Sequence, residues 1–133
     1  MGIDTKALLR GKIDVVQIAN DLVELYGTNR PDIAIQFTYS SEMYMITFYQ
    51  KNMPNFGIDF DARATWRTIN GRSMCVFYDC KGDYANVTDE DCTYLTLGCW
   101  GESVEIMETL LRKYGGWIRR NDSTDDWEKF DAL

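Results

Sequence analysis

Apolar residues recur at helical spacing in "IDVVQIANDLVELYG", residues 13–27, where Val16, Ala19, Leu22, Val23 and Tyr26 share one face. Asp14 stands at the N-cap position, Gln17 follows three residues later as in a capping box, and Gly27 stands just past the last turn as a C′ residue. This pattern predicts a first helix, after a start at residues 1–12 with no clear period. The period then falls to two. "IAIQFTY" (33–39) and "MYMITFYQ" (43–50) are rich in aromatic and β-branched residues and flank a short polar turn, Ser40 to Glu42, so they predict a hairpin. "TWRTI" and "RSMCVFYD" flank Asn70-Gly71, a pair favoured in type I′ turns because both central residues need positive φ; they predict a second hairpin. "FGIDFD" (56–61) reads as a further strand, with Pro54 and Gly57 interrupting its approach. "KGDYANVTDED" (81–91) reads as a polar loop and "CTYLTLGCW" (92–100) as a strand.

Helical spacing returns in "SVEIMETLLRKY" (103–114), with Ser103 as N-cap and Val104, Met107, Leu110, Leu111 and Tyr114 along the buried stripe. Glu102, Glu105 and Glu108 lie early and Arg112 and Lys113 late, in agreement with the helix dipole. Gly115 supplies the left-handed residue that ends the helix, Gly116 lets the chain reverse, and Trp117 and Ile118 start a short strand with Trp117 as a core anchor. The elements predict one α+β domain over residues 1–133: a mostly antiparallel sheet of about five or six strands with both helices packed on one face. Tyr39, Tyr44, Phe48, Tyr49, Trp66 and Tyr78 exceed what one covered face needs. Some must lie under the 52–64 and 80–92 loops, or at a dimer or partner surface.

Composition adds a direction to this picture. The 133 residues are 45% hydrophobic, enough for one core, and carry a formal charge of −7. Residues 79 to 108 hold eight acids (Asp79, Asp83, Asp89, Glu90, Asp91, Glu102, Glu105, Glu108) against one base, Lys81, so this stretch carries the whole net charge. Binding to a phosphate backbone depends on Lys and Arg releasing counterions, so direct binding of nucleic acid is not expected. No apolar run approaches the roughly 20 residues that span a bilayer, and Lys6, Arg10, Lys12 and Asp14 interrupt the N-terminal stretch, so no membrane attachment is expected.

Candidate chemistry is thin. Cys75, Cys80, Cys92 and Cys99 form pairs enclosing four and six residues, wider than the knuckles of structural zinc sites. The odd separation of Cys75 and Cys80 sets them on opposite faces of a strand, and buried thiols are the expectation. "NDSTDD" (121–126) has Asp122, Thr124 and Asp126 in calcium-loop spacing, but Trp127 stands where that loop needs glycine. Asp59 and Asp61 would share a strand face as a carboxylate pair. The chain has no histidine, which removes the usual general base and the Ser-His and Cys-His pairings.

Residues 95–127, "LTLGCWGESVEIMETLLRKYGGWIRRNDSTDDW", combine a strand ending in Gly98-Cys99-Trp100-Gly101, a Ser-Val-Glu-Ile helix, a Gly115-Gly116-Trp117 return and an Asn121-Asp122 turn. This quarter of the chain resembles the C-terminal half of small uncharacterised accessory proteins of bacteriophages and prophages. The resemblance implies a mobile-element origin and an accessory role in the cytoplasm of a host cell, and carries over no catalytic residue. The expected function is binding to, and inhibition or modulation of, a host protein with a basic surface, such as a defence nuclease, in the manner of anti-CRISPR or anti-restriction proteins. The candidate partner-binding residues are Asp83, Asp89, Glu90, Asp91, Glu102 and Glu105; no catalytic residue, metal or cofactor is expected. Two alternatives stand beside this reading: a homo-oligomeric assembly protein, with a homodimer as its simplest form, and a small-molecule binder or carboxylate-dependent hydrolase.

Overall fold

The computed structural model describes residues 4–27, 33–39, 43–51, 66–98, 103–120 and 126–132. Its elements in chain order are β1 (Thr5–Arg10), α1 (Val15–Gly27), β2 (Ile33–Tyr39), β3 (Tyr44–Lys51), β4 (Trp66–Phe77), β5 (Cys92–Leu97), α2 (Ser103–Tyr114), β6 (Gly116–Arg119) and β7 (Glu128–Phe130). The seven strands form one sheet in the order β2-β3-β4-β5-β1-β6-β7, and every pairing is antiparallel. The α+β architecture is the expected one, with β1 and β7 beyond the strands that periodicity revealed.

Both helices lie on one face. Val15, Ile18 and Leu22 of α1 and Ile106, Met107, Leu110 and Leu111 of α2 pack on Ala7, Leu9, Ile46, Phe48, Met74, Val76, Leu95, Leu97 and Ile118. Neighbouring side chains in a strand point to opposite faces, so Leu8, between Ala7 and Leu9, enters a second cluster with Tyr84 and Cys92. Cys80, Val87, Tyr94, Trp117 and Trp127 pack around it. The 80–92 segment thus covers part of the opposite face, but Tyr44, Phe48 and Tyr78 of the aromatic surplus pack in the helix-side core and not beneath it. The 52–64 loop and the "FGIDFD" strand lie outside the described residues, as do Cys99, Glu102 and the 121–125 portion of the candidate calcium loop. No described helix is long and apolar enough to cross a membrane.

Several local expectations change. The Asn70-Gly71 hairpin does not form: residues 66–77 run as one strand, both halves pairing with β3, Thr47 to Ser73 on one side and Tyr49 to Thr68 on the other. Two steps along β3 meet five along β4, so Asn70 and Gly71 fall in a bulge, and ladder bonds to a distant strand override the local turn preference. Among the described side chains of α1 the buried ones are Val15, Ile18 and Leu22, while Val16 and Val23, expected on the buried face, are 51% and 49% exposed. Asp14 does cap α1, its Oδ1 accepting from Val16 N at 2.7 Å, but Gln17 reaches forward to Asp21 at 3.0 Å and completes no capping box. Gly27 is the last residue of the helix and does not follow it.

Ser103 is fully buried as the first residue of α2, with its hydroxyl 3.2 Å from that of Thr5. It ties the helix to β1, a role the N-cap reading did not include. Gly115 has the expected left-handed backbone (φ 73°), and its N–H donates to Leu111 O at 2.7 Å. Trp117 is half-buried on the second cluster with the Arg10 guanidinium 4.9 Å from its ring centre; Ile118, fully buried, anchors β6 in the main core.

Candidate functional site

The acidic stretch begins where β4 ends. Asp79 takes a left-handed backbone (φ 57°) and swings the chain across the sheet, which breaks the strand alternation. Cys80 therefore joins Cys92 in the second cluster, and Cys75, whose thiol bonds Thr96, points to that same side of the sheet. The expected opposite placement of Cys75 and Cys80 is thus overturned. A single 3₁₀ turn, Lys81–Tyr84, follows, with Asp83 N donating to Cys80 O at 2.9 Å. Val87 N and Thr88 N both donate to Tyr84 O, and Glu90 N donates to the Thr88 hydroxyl at 3.1 Å.

Tyr84 pins this loop. Only 2% exposed, it accepts a hydrogen bond from Cys92 N at 2.9 Å and donates to Cys92 O at 3.3 Å, so one hydroxyl satisfies both backbone groups where the loop re-enters the sheet. Gly11 N donates to Asp91 O at 2.9 Å and fastens the loop to the end of β1. Its charged side chains face outward from this fixed frame.

Asp83, Asp89, Glu90 and Asp91 are brought together as exposed residues of one segment. Glu90 lies 3.8 Å from Arg10 and Asp91 lies 3.4 Å from Lys81, whereas Asp83 and Asp89 have no ion-pair partner among the described residues. Glu105 is exposed on α2, on the other face of the sheet, and does not join them. Of the remaining acids, Glu108 is engaged by Arg112 at 3.5 Å and by Arg120 at 2.9 Å.

Two hollows accompany the loop and the helices. One, of about 250 Å³, is lined by Lys12, Tyr78, Asp79, Lys81, Tyr84, Asp91 and Cys92. The Lys12 ammonium stands 5.3 Å from the centre of the Tyr78 ring, and the Tyr78 hydroxyl donates to Ile13 O at 2.5 Å. Burial, with the nearby charge of Asp14 second, pushes the Tyr78 phenol up to about 12, so it stays neutral. The other is an open groove of about 460 Å³ between the helices, lined by Asp21, Leu22, Glu24, Thr109, Leu110, Arg112 and Lys113. There the Asp21 carboxylate accepts from Gln17, from Lys113 at 2.6 Å and from the Tyr114 hydroxyl.

The three described thiols are poorly suited to nucleophilic work. Burial pushes Cys75 and Cys80 up from the ordinary thiol range, and burial together with Glu90 takes Cys92 to about 11. Each is a protonated thiol at neutral pH, and only the thiolate attacks. Among the described residues no group of three or more His, Cys, Asp or Glu side chains is arranged to hold a metal. Tyr84 was the residue that pattern alone missed. Its signal was a single aromatic side chain inside an otherwise polar loop.

Compared with known protein families, curated proteins and solved structures, the chain has no match.

Proposed function

We propose that this chain is a phage-type accessory protein that binds a basic surface of a host protein and inhibits or modulates it, with a defence nuclease as the target class. The observation that carries the reading is the pinned acidic loop: Asp83, Asp89, Glu90 and Asp91 project from a segment already fixed by the Tyr84 hydroxyl at Cys92. A loop ordered before binding loses little conformational freedom on association, so more of its electrostatic attraction is retained as affinity. Clustered carboxylates also speed encounter with a basic partner and select against acidic ones. A channel built to hold phosphates would meet in this loop several exposed carboxylates carried on a fixed backbone.

Replacing Asp89, Glu90 and Asp91 together by Asn, Gln and Asn tests the reading with little threat to the fold. These groups are exposed, and exposed ion pairs contribute only about 0–1 kcal/mol. Wild type and variant are used in parallel to capture proteins from a bacterial host lysate across a salt series. The expected result is a stoichiometric host protein held by wild type, weakened by salt, and lost or much reduced with the variant. Equal capture by the folded variant would remove this surface as the cause.

A further inference from the structure

We infer that the hollow between the β1–α1 connection and the acidic loop is a binding site for a free α-amino acid. At about 250 Å³ it lies below the roughly 300–1,000 Å³ of sites for drug-sized ligands, so its occupant is a small molecule. Two of its walls are fixed before any ligand arrives. Tyr84 is held at both ends of the Cys92 peptide, and Tyr78 is held at Ile13 O and packs edge-on to Tyr44 at 5.7 Å.

The rim decides the chemistry of the occupant. It carries two cations, Lys12 and Lys81, and two anions, Asp79 and Asp91. A simple anion drawn by the lysines meets two carboxylates, and a simple cation meets two ammonium groups. A molecule with a carboxylate and an ammonium on one carbon satisfies both signs at once. Two of the four rim charges are not neutralised: among the described residues neither Lys12, whose ammonium lies over the Tyr78 ring, nor Asp79 has an ion-pair partner. Lys81 and Asp91, 3.4 Å apart with side chains 49% and 88% exposed, form a weak pair that a ligand exchanges at little loss. Asp79 further holds a left-handed backbone, a conformation uncommon outside glycine and recurrent at ligand clamps.

This goes beyond the acidic-loop reading and shares only Asp91 with it; Lys12 and Asp79, the positions to be substituted, lie outside the four grouped carboxylates. The two readings therefore fail separately. The test is amide-resolved NMR titration of the full chain with each L-α-amino acid, with the corresponding N-acetyl acids, the amino acid amides and sodium phosphate as controls. At least one free amino acid is expected to shift the Lys12, Asp79 and Lys81 amides in a saturable way. Masking either of its charged ends should weaken binding by roughly tenfold or more. Lys12→Gln and Asp79→Asn should each weaken it similarly, the second variant retaining a residue that tolerates the left-handed backbone. Absence of saturable shifts with every amino acid up to about 10 mM would overturn the inference. So would phosphate or N-acetyl acids binding as tightly as the free amino acid, or unchanged binding by both folded variants.

Discussion

Gly115 and Gly116 stand side by side and do different work. Gly115 has φ 73°, and a Cβ built there would meet Ala132 N at 3.4 Å, an ordinary contact. Alanine at 115 therefore bears only the backbone strain of the left-handed region, about 1 kcal/mol. Gly116 pairs with Leu9 across the β1–β6 ladder, and a Cβ there would fall 1.7 Å from Leu8 O. Backbone cannot swing aside as a long side chain can, so alanine at 116 must force β1 and β6 away from each other. Gly116→Ala is expected to destabilise by on the order of 4 kcal/mol or more, well beyond Gly115→Ala. Denaturant unfolding of the two variants checks this, and equal losses would show that β6 sits elsewhere. Tyr84 offers a gentler test at the same scale. Tyr84→Phe keeps the ring and strands the buried N–H of Cys92, at roughly 1–3 kcal/mol. Amide exchange at Cys92 and through the 83–91 loop should quicken in that variant; unchanged protection would mean that the hydroxyl is not what holds the loop.

Between elements, Asp21 joins α1 to α2. Burial pushes its carboxyl up, but hydrogen bonds from Lys113, Tyr114 and Gln17 outweigh that and hold it below the ordinary 3.8. A lowered folded value means that the carboxylate contributes stability above about pH 3.8, and that the contribution is lost as pH falls through the folded value. Asp21→Asn should lower stability at neutral pH, by roughly 1–3 kcal/mol, and flatten the fall of melting temperature below pH 4. A variant with the wild-type acid profile would refute the clamp. The elements most legible in the sequence were those whose apolar residues recur with a period: α1, α2, the β2–β3 hairpin and β5. β1 was not legible because both its faces are covered. Ala7, Leu8 and Leu9 are consecutive and all fully buried, so no alternation marks the strand. Asn70-Gly71 misled for the complementary reason, since a turn preference is local and the strand that captures both of its flanks lies some twenty residues upstream. At the candidate site the carboxylates were visible as charge. Their grouping on one segment is adjacency in sequence, whereas the separation of Glu105 and the Tyr84 pin depend on which face of the sheet each element covers, and single-chain pattern does not carry that.

For the whole molecule, the sheet divides two kinds of cover: helices on one face, and over some of the other a loop that bears most of the grouped acid. The strand at the centre of this division, β1, is made before every other described strand, yet its two neighbours are β5 and β6, with Thr5 opposite Leu97 and Leu8 opposite Trp117. At the roughly 5–20 residues per second of synthesis, β1 emerges several seconds before either neighbour exists. Both its edges and both its apolar faces stay open through that interval. Pairings so distant in sequence close late and slowly, because a long loop must be ordered before any contact rewards it. On the ribosome, then, the β2–β3–β4 meander can form early, while the middle of the sheet waits for Arg119 to leave the exit tunnel. A nascent chain halted before β5 has emerged would display an unpartnered "TKALLR" segment, a region open to capture by chaperones or by another unfinished copy.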